Sequence, residues 1–282
     1  MWNNYLDQFV DNALREDIGD GDHTSLACIP DTAKGKVQLL IKEDGVLAGL
    51  EIASHVFTKL DKNCKIRYFK KDGDTIKFGD IAFVTEGKVL ALLQAERLVL
   101  NLMQRLSGIA TQTRTYVEQL KGLPVIILDT RKTTSGMRLL EKNAVKLGGG
   151  ENHRIGLYDM ILIKDNHIDF SGGIEQAIER VHKYLRKVNK KLKIEIEARN
   201  LSDVKKILDI GKVDRILLDN FSVEQTREAV NLINKRMETE SSGGITLENI
   251  RSYAECGVDY ISVGALTHQI RSLDMSLKAI DF

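Results

Sequence analysis

The sequence has no excess of charge of either sign: 41 lysines and arginines face 40 aspartates and glutamates, for a formal net charge of +1 at pH 7. A general nucleic-acid or membrane-surface role therefore has no electrostatic support, since such partners select clustered basic charge. Cysteine is scarce. Cys28, Cys64 and Cys256 stand far apart and show none of the paired spacings of a zinc site or a disulfide framework, so they read as reduced thiols. No apolar run approaches the roughly 18 residues that span a bilayer. The opening residues, Met1-Trp-Asn-Asn-Tyr-Leu-Asp7, carry neither a basic nor an apolar targeting region, and a cytoplasmic protein is expected. Repeats, low-complexity tracts and charged tails are also missing, which leaves a scaffolding role unsupported.

What is present is an ordinary globular composition, 43% hydrophobic and 29% charged over 282 residues, suited to one large domain plus a smaller one. Tyr5, Phe9, Ala13 and Leu14 fall on one helical face ahead of a polar, glycine-containing loop at 16–25. Between Lys36 and Thr85, β-rich runs at 37–41 and 65–69 are interrupted by Gly45, Gly49, Gly73 and Gly79, which predicts a small sheet with a helix near 50–60. From Val89 to about Lys121 there is hardly a breaker, and two helices divided near Gly108 are expected.

Beyond that point one unit recurs, a short apolar run ending on a polar or charged residue: 125–129, 160–164, 194–197, 216–219 and 260–264. Helical patterns lie between the runs. Parallel strands need such crossovers, in a doubly wound sheet or a β/α barrel, and in a barrel the strand ends gather at one mouth. With five clear strands and a sixth around 236–241, an incomplete barrel is the expected form.

The densest chemistry is Asp129-Thr-Arg-Lys-Thr-Thr-Ser-Gly-Met-Arg138, which puts Arg131, Lys132 and Arg138 in one loop after a strand. Next comes Gly148-Gly-Gly-Glu-Asn-His-Arg154, where glycines permit close backbone approach and His153 and Arg154 add polar groups. Lys164 ends its strand and adds another cation. Several desolvated cations together imply a polyanionic ligand or nearby carboxylates, and arginine forks suit carboxylates and phosphates. Glu195 and Glu197 share one face of a strand and Asp219 ends the following one; they suit ribose hydroxyls or a magnesium ion bound mainly through substrate. Ser241-Ser-Gly-Gly-Ile-Thr246, opening a helix at Leu247, and Ser262-Val-Gly-Ala-Leu-Thr-His268 suit a phosphate.

Each feature also has a plainer reading. Arg97 and Arg138 can be solvated helix charges, Gly148 to Gly150 a helix end, and His153 and His167 structural hydrogen bonders. Glu195 and Glu197 can be a structural acidic pair matched by Lys193 or Arg199, and Lys164 a Schiff-base lysine. Convergence at five or six strand ends favours a site that takes a phosphosugar and an acidic partner.

In this order, Glu16-Asp-Ile-Gly-Asp-Gly-Asp22, Ala95-Glu-Arg-Leu-Val-Leu-Asn101, Leu106-Ser-Gly-Ile-Ala-Thr111, Asp129–Thr133, Gly148–Arg154, Ile163-Lys-Asp-Asn-His167, Leu217-Leu-Asp-Asn220, Ser242–Ile245 and Val263–His268 resemble the quinolinate phosphoribosyltransferase family nearly end to end. The resemblance implies an α/β fold: an N-terminal open-faced α/β sandwich, residues 1–110 with the tail at 270–282, packed on an incomplete β/α barrel at 111–269. It implies transfer of a phosphoribosyl group from phosphoribosyl pyrophosphate to quinolinate with decarboxylation, Mg2+, and homodimers or hexamers in which Arg97 serves the neighbouring active site. Arg131, Lys132, His153, Arg154 and Lys164 would surround quinolinate and pyrophosphate, and Glu197 and Asp219 would hold the ribose. Gly243, Gly244, Gly264 and Ala265 would cradle the 5′-phosphate, with Thr130, Arg138, Ser242 and Val263 completing the substrate site. Ser135 departs from the proline of many relatives. The alternatives are a pyrophosphorylase-like protein associated with molybdenum transport and a non-catalytic binding homologue.

Overall fold

The first helix, Trp2–Ile18, buries Leu6, Val10 and Leu14, a row at four-residue spacing that faces the core. Tyr5, Phe9 and Ala13 form the neighbouring row and are only half-buried, so the buried face sits one residue along from the expected one, sharing only Leu14 with it. Tyr5 and Phe9 instead stack on each other at 6.1 Å. The protein is described here from a computed structural model over residues 2–280; Met1 and, in the expected tail, residues 281 and 282 lie outside the described residues.

The chain divides into two units, one made of the residues up to Arg114 with Thr134–Gly149 and the residues from Ile270 onward, the other of Thr115–Thr133 and Gly150–Gln269. The division read from the sequence placed 134–149 with the barrel. In the first unit a four-stranded antiparallel sheet runs in the order Met275–Ile280, Lys34–Ile41, Ile81–Lys88, Lys65–Tyr68. Register places Leu39 opposite both Leu277 and Phe83, and all three are buried. Helix Leu50–Leu60 buries Ile52, Ala53, Val56 and Phe57, and the Phe57 ring meets Phe83 edge-on at 5.9 Å.

Val89–Gln119 is one 31-residue helix, not two divided near Gly108. The glycine is there for room: a Cβ at Gly108 would run into the Arg271 carbonyl and lie 3.2 Å from the Ser272 Cα. Alanine in a helix interior ordinarily stabilises by about 1 kcal/mol relative to glycine. At this position we expect the opposite sign, with Gly108→Ala losing about 1–3 kcal/mol from overpacking, read as a fall in the chemical-denaturation midpoint.

The second unit holds a six-stranded parallel sheet in the order Ile126–Leu128, Tyr260–Ser262, Glu238–Ser242, Arg215–Asp219, Ile194–Ala198, Ile161–Ile163. The sixth strand expected around 236–241 is Glu238–Ser242. Every residue of Ile194–Ala198 is buried, the mark of a strand covered on both faces. Crossover helices Ile174–Val188, Leu201–Ile210 and Val223–Ile233 separate the strands. Side-chain caps start two of them: Asn200 accepts from the Asp203 N–H, and Ser222 and Gln225 form a reciprocal capping box. Because the strands are parallel, all their carboxyl ends lie at one rim, and residues at or just after the ends of both edge strands line a single cavity. The sheet thus curls into an open β/α barrel.

Candidate active site

The cavity at that rim has a volume of about 530 Å3 and is lined by Thr130, Arg131 and Lys132 after the first strand, His153 and Arg154, Lys164, Glu197 and Asp219, and the two glycine turns. Strand geometry explains the acidic pair. Glu195 and Glu197 point to the same face, but one layer apart: Glu197 reaches the cavity, while Glu195 lies beneath it, fully buried and outside its lining. Their partners are not Lys193 or Arg199, which pair with Glu238 and Asp169. Glu197 instead accepts from Lys164 Nζ at 2.9 Å and from the Asp165 N–H at 3.0 Å. That ion pair is the arrangement of an ammonium group, not of the neutral amine that Schiff-base chemistry needs.

His167 is structural. Its Nδ1 accepts the Lys164 N–H at 2.9 Å and so satisfies a donor at the start of helix Asp165–Ser171. Asp219 accepts from Asn220 Nδ2 at 2.9 Å; burial, then the nearby Glu197 charge, raise its carboxyl above the usual range. Arg154 is pushed the other way, lowered by burial and by the Arg131 charge, with Glu195, Asp159 and Glu197 opposing the shift.

The glycine turns are shaped by close packing. Gly243 has φ +88°, and a Cβ there would collide with the Asn220 side-chain amide. A Cβ on Gly264 would stand 3.0 Å from His268 Nε2 and 3.1 Å from Lys132 Cδ. Thr267 Oγ1 donates to the Lys132 carbonyl at 2.8 Å and ties the last loop to the first. The helix expected to open at Leu247 begins at Ile250, because Asn249 Oδ1 accepts the Thr246 N–H and closes a turn first.

A charged layer extends below the cavity from Glu240, which is part of its lining, and of this layer the sequence reading had assigned only Glu195. Arg215 donates from Nη1 to Glu240 at 2.8 Å and from Nη2 to Glu238 at 3.1 Å, and its guanidinium covers the Tyr260 ring at 3.7 Å. Burial raises both Glu195 and Glu240 to about 7. The signal was present in Glu238-Thr-Glu240, which repeats the alternating acids of Glu195 and Glu197. Asp129 is fully buried, and its two oxygens accept the His153 N–H at 2.9 Å and Asn152 Nδ2 at 2.6 Å.

Of the residues named from the sequence, Thr130, Arg131, Lys132, His153, Arg154, Lys164, Glu197, Asp219, Ser242, Gly243, Gly244, Val263, Gly264 and Ala265 all line this cavity. Arg97, exposed on helix Val89–Gln119, and Arg138, the first residue of helix Arg138–Gly148, belong to the first unit and are not in its lining. Ser135 sits in an exposed turn of the first unit.

Comparison with known proteins finds likeness over nearly the whole chain. Residues 22–107 match the family model for the quinolinate phosphoribosyl transferase N-terminal domain, and residues 109–278 match the model for its C-terminal domain. A rice protein named nicotinate-nucleotide pyrophosphorylase [carboxylating], chloroplastic, is 43% identical over 97% of this chain and 77% of its own length. A Bacillus subtilis protein named probable nicotinate-nucleotide pyrophosphorylase [carboxylating] is 41% identical, covering 96% of this chain and 92% of its own. The crystal structure of NadC from Streptococcus pyogenes superposes with a TM-score of 0.92 at 40% identity, covering 98% of this chain and 97% of its own. With both family models matched in order along one chain, this protein belongs to the quinolinate phosphoribosyl transferase family.

Proposed function

We infer that this cavity is the active site of a carboxylating nicotinate-nucleotide pyrophosphorylase, a pentosyltransferase. It moves the phosphoribosyl group of phosphoribosyl pyrophosphate onto quinolinate and releases pyrophosphate and CO2 to leave nicotinate mononucleotide, a step of NAD biosynthesis. The observation that carries the reading is the gathering of Arg131, Lys132, Arg154 and Lys164 with Glu197, Asp219 and two glycine turns in one cavity. That charge pattern suits a dicarboxylate and a pyrophosphate bound side by side, and it suits a ribose between acids and a phosphate on backbone N–H groups.

In this reading the cations hold the carboxylates of quinolinate and the departing pyrophosphate. Glu197 and Asp219 hold the ribose hydroxyls, and Gly243, Gly244, Gly264 and Ala265 approach the 5′-phosphate, flanked by Thr130, Ser242 and Val263. As the pyridine nitrogen attacks, the anomeric carbon gains oxocarbenium character, and catalysis is positioning plus electrostatics with no covalent nucleophile. The nitrogen, once cationic, stabilises the electron pair left on the adjacent ring carbon when the 2-carboxylate leaves as CO2. Two carboxylates at the cavity, one of them already disfavoured as an anion by its surroundings, fit a magnesium ion carried mainly on substrate oxygens. When bound, magnesium supplies further charge neutralisation at the leaving pyrophosphate.

Arg97 and Arg138 have no place in the cavity lining, and the reading has Arg97 serve a second copy, in homodimers alone or gathered into a hexamer. Three free cysteines support a reducing, cytoplasmic location; among the described residues no helix is long and apolar enough to cross a membrane. The names of the relatives do not favour the molybdenum-associated alternative or a non-catalytic role. The test is to incubate the purified protein with magnesium, phosphoribosyl pyrophosphate and either quinolinate or nicotinate. Pyrophosphate and CO2 are expected with quinolinate only; pyrophosphate from nicotinate, or turnover with neither, overturns the reading.

A further inference from the structure

Two buried carboxylates, Glu195 beneath the cavity and Glu240 at its lining, flank one ring. The His153 side chain is nearly fully buried, and its Nε2 lies 3.0 Å from Glu195 Oε2 and 3.5 Å from Glu240 Oε2. Its other nitrogen is also engaged, since Nδ1 accepts the backbone N–H of Arg154 at 2.7 Å. A nitrogen that accepts from an N–H carries no proton, so the ring is the Nε2–H tautomer with its proton toward the two carboxylates. Neither oxygen of Glu195 has a well-aligned hydrogen bond, although the distances are short. The attraction is therefore chiefly electrostatic, and burial of both carboxylates strengthens it.

The donor set His153, Glu195 and Glu240, with atoms within 4.8 Å of one another, is also one that a divalent cation could use. The Nδ1 contact opposes that reading, because a neutral ring bound to a metal through Nε2 carries its proton on Nδ1 and would lose the Arg154 N–H bond. The cation of this layer is Arg215, 2.8 Å from Glu240 Oε2 and 4.0 Å from Glu195 Oε1.

We propose that Glu195 and Glu240, anchored by Arg215, are positioning residues for the acidic substrate: they hold the His153 ring in one tautomer and orientation, and the ring in turn fixes the main chain from which the Arg154 guanidinium enters the cavity. Asp129 secures the same segment through the His153 N–H, so both N–H groups at 153–154 are held by side chains. The buried carboxylates have a second effect. Glu195 is among the negative charges that favour the Arg154 cation against burial and the neighbouring Arg131 charge, which lets two guanidinium groups share one corner before an anionic substrate arrives. This proposal rests on the assignment of Arg154 to quinolinate made above.

Glu195 gives the cleanest test, because it lies outside the cavity lining and its replacement removes no substrate contact. Glu195→Gln keeps the shape and, assayed well above the value of about 7 to which burial raises the carboxyl, removes the charge. We expect its KM for quinolinate to rise about tenfold, while kcat and the KM for phosphoribosyl pyrophosphate stay within about twofold. A merely structural role would instead lower the folded fraction, and with it the apparent kcat, leaving both KM values alone. Histidine 15N spectra of the wild-type enzyme supply a readout that needs no variant: an unprotonated Nδ1 and a protonated Nε2 are expected for His153, and a protonated Nδ1 overturns the proposal. Arg154→Gln separates the two inferences. If it weakens quinolinate binding and Glu195→Gln does not, the positioning role fails alone; if neither variant changes quinolinate KM, the substrate assignment of Arg154 fails and the proposal with it.

Discussion

Replacing Arg131 by alanine is expected to lower turnover at least about a thousandfold, some 4 kcal/mol of transition-state stabilisation, while the protein stays folded. Arg131 follows directly on the strand Ile126–Leu128 and lines the cavity beside Arg154, close enough for its charge to oppose that of Arg154. Two like charges are kept together at a cost, and the cost is recovered only when an anion lies between them. Quinolinate and pyrophosphate are both strongly anionic, and negative charge moves onto the leaving pyrophosphate during transfer, so an arginine here acts more strongly on the transition state than on binding. The loss should therefore fall on kcat as well as on KM. Steady-state kinetics with both substrates, beside a denaturation curve, checks this. Wild-type-like kinetics for a folded Arg131→Ala protein would falsify the assignment of the cavity.

The second large effect is expected at Gly243, and it is steric where the first is electrostatic. Gly243 has φ +88°, and an added Cβ would meet the Asn220 side-chain amide and approach the Asn220 backbone nitrogen to 3.0 Å. Asn220 is itself constrained: it has φ 54°, its N–H donates to the Ser242 carbonyl at 2.9 Å, and its Nδ2 holds Asp219. It cannot yield without moving Asp219. Gly243→Ala should thus disturb together the turn proposed to hold the 5′-phosphate and the carboxylate proposed to hold the ribose. We expect kcat/KM for phosphoribosyl pyrophosphate to fall about a hundredfold, for roughly 1–3 kcal/mol of backbone strain plus the displaced carboxylate. Relieving the side-chain clash with Asn220→Gly in the same chain should restore part of the loss, since contacting residues are coupled. A Gly243→Ala enzyme with unchanged affinity for phosphoribosyl pyrophosphate, measured by calorimetry, sinks this prediction.

Much of the second unit was legible in the sequence because parallel strands buried on both faces leave an unmistakable pattern of apolar runs with polar ends. Ile194–Glu197 and Ile216–Asp219 coincide closely with strands Ile194–Ala198 and Arg215–Asp219, and their terminal acids do reach the cavity. The sixth strand was harder. Glu238–Ser242 reads Glu-Thr-Glu-Ser-Ser and has no apolar residue to announce it; its burial relies on Arg215, Asp259 and Ser262 as partners, none of them near in sequence.

Gly108 misled for the related reason that a glycine's purpose depends on its neighbours. In isolation it weakens a helix, and here it admits the backbone of Arg271, 163 residues later by subtraction of the two numbers. In the first helix, periodicity found the helix but not its buried row, since Tyr5, Phe9 and Ala13 flank the buried Leu6 and Val10. Rows one residue apart differ by about 100° around the axis, and which of two apolar rows is buried depends on what packs against it.

The sequence alone determined the strand-and-helix rhythm, the residues at the strand ends and the family, because these depend on local order and residue type. Tertiary structure decided how the acids divide, with Glu197 in the cavity and Glu195 under it, and which nitrogen of His153 carries the proton. It also decided that Arg215 serves Glu240. Those choices are made by burial and by contacts at 3 to 4 Å between different strands, and a buried charge is defined by its partners more than by its place in the chain.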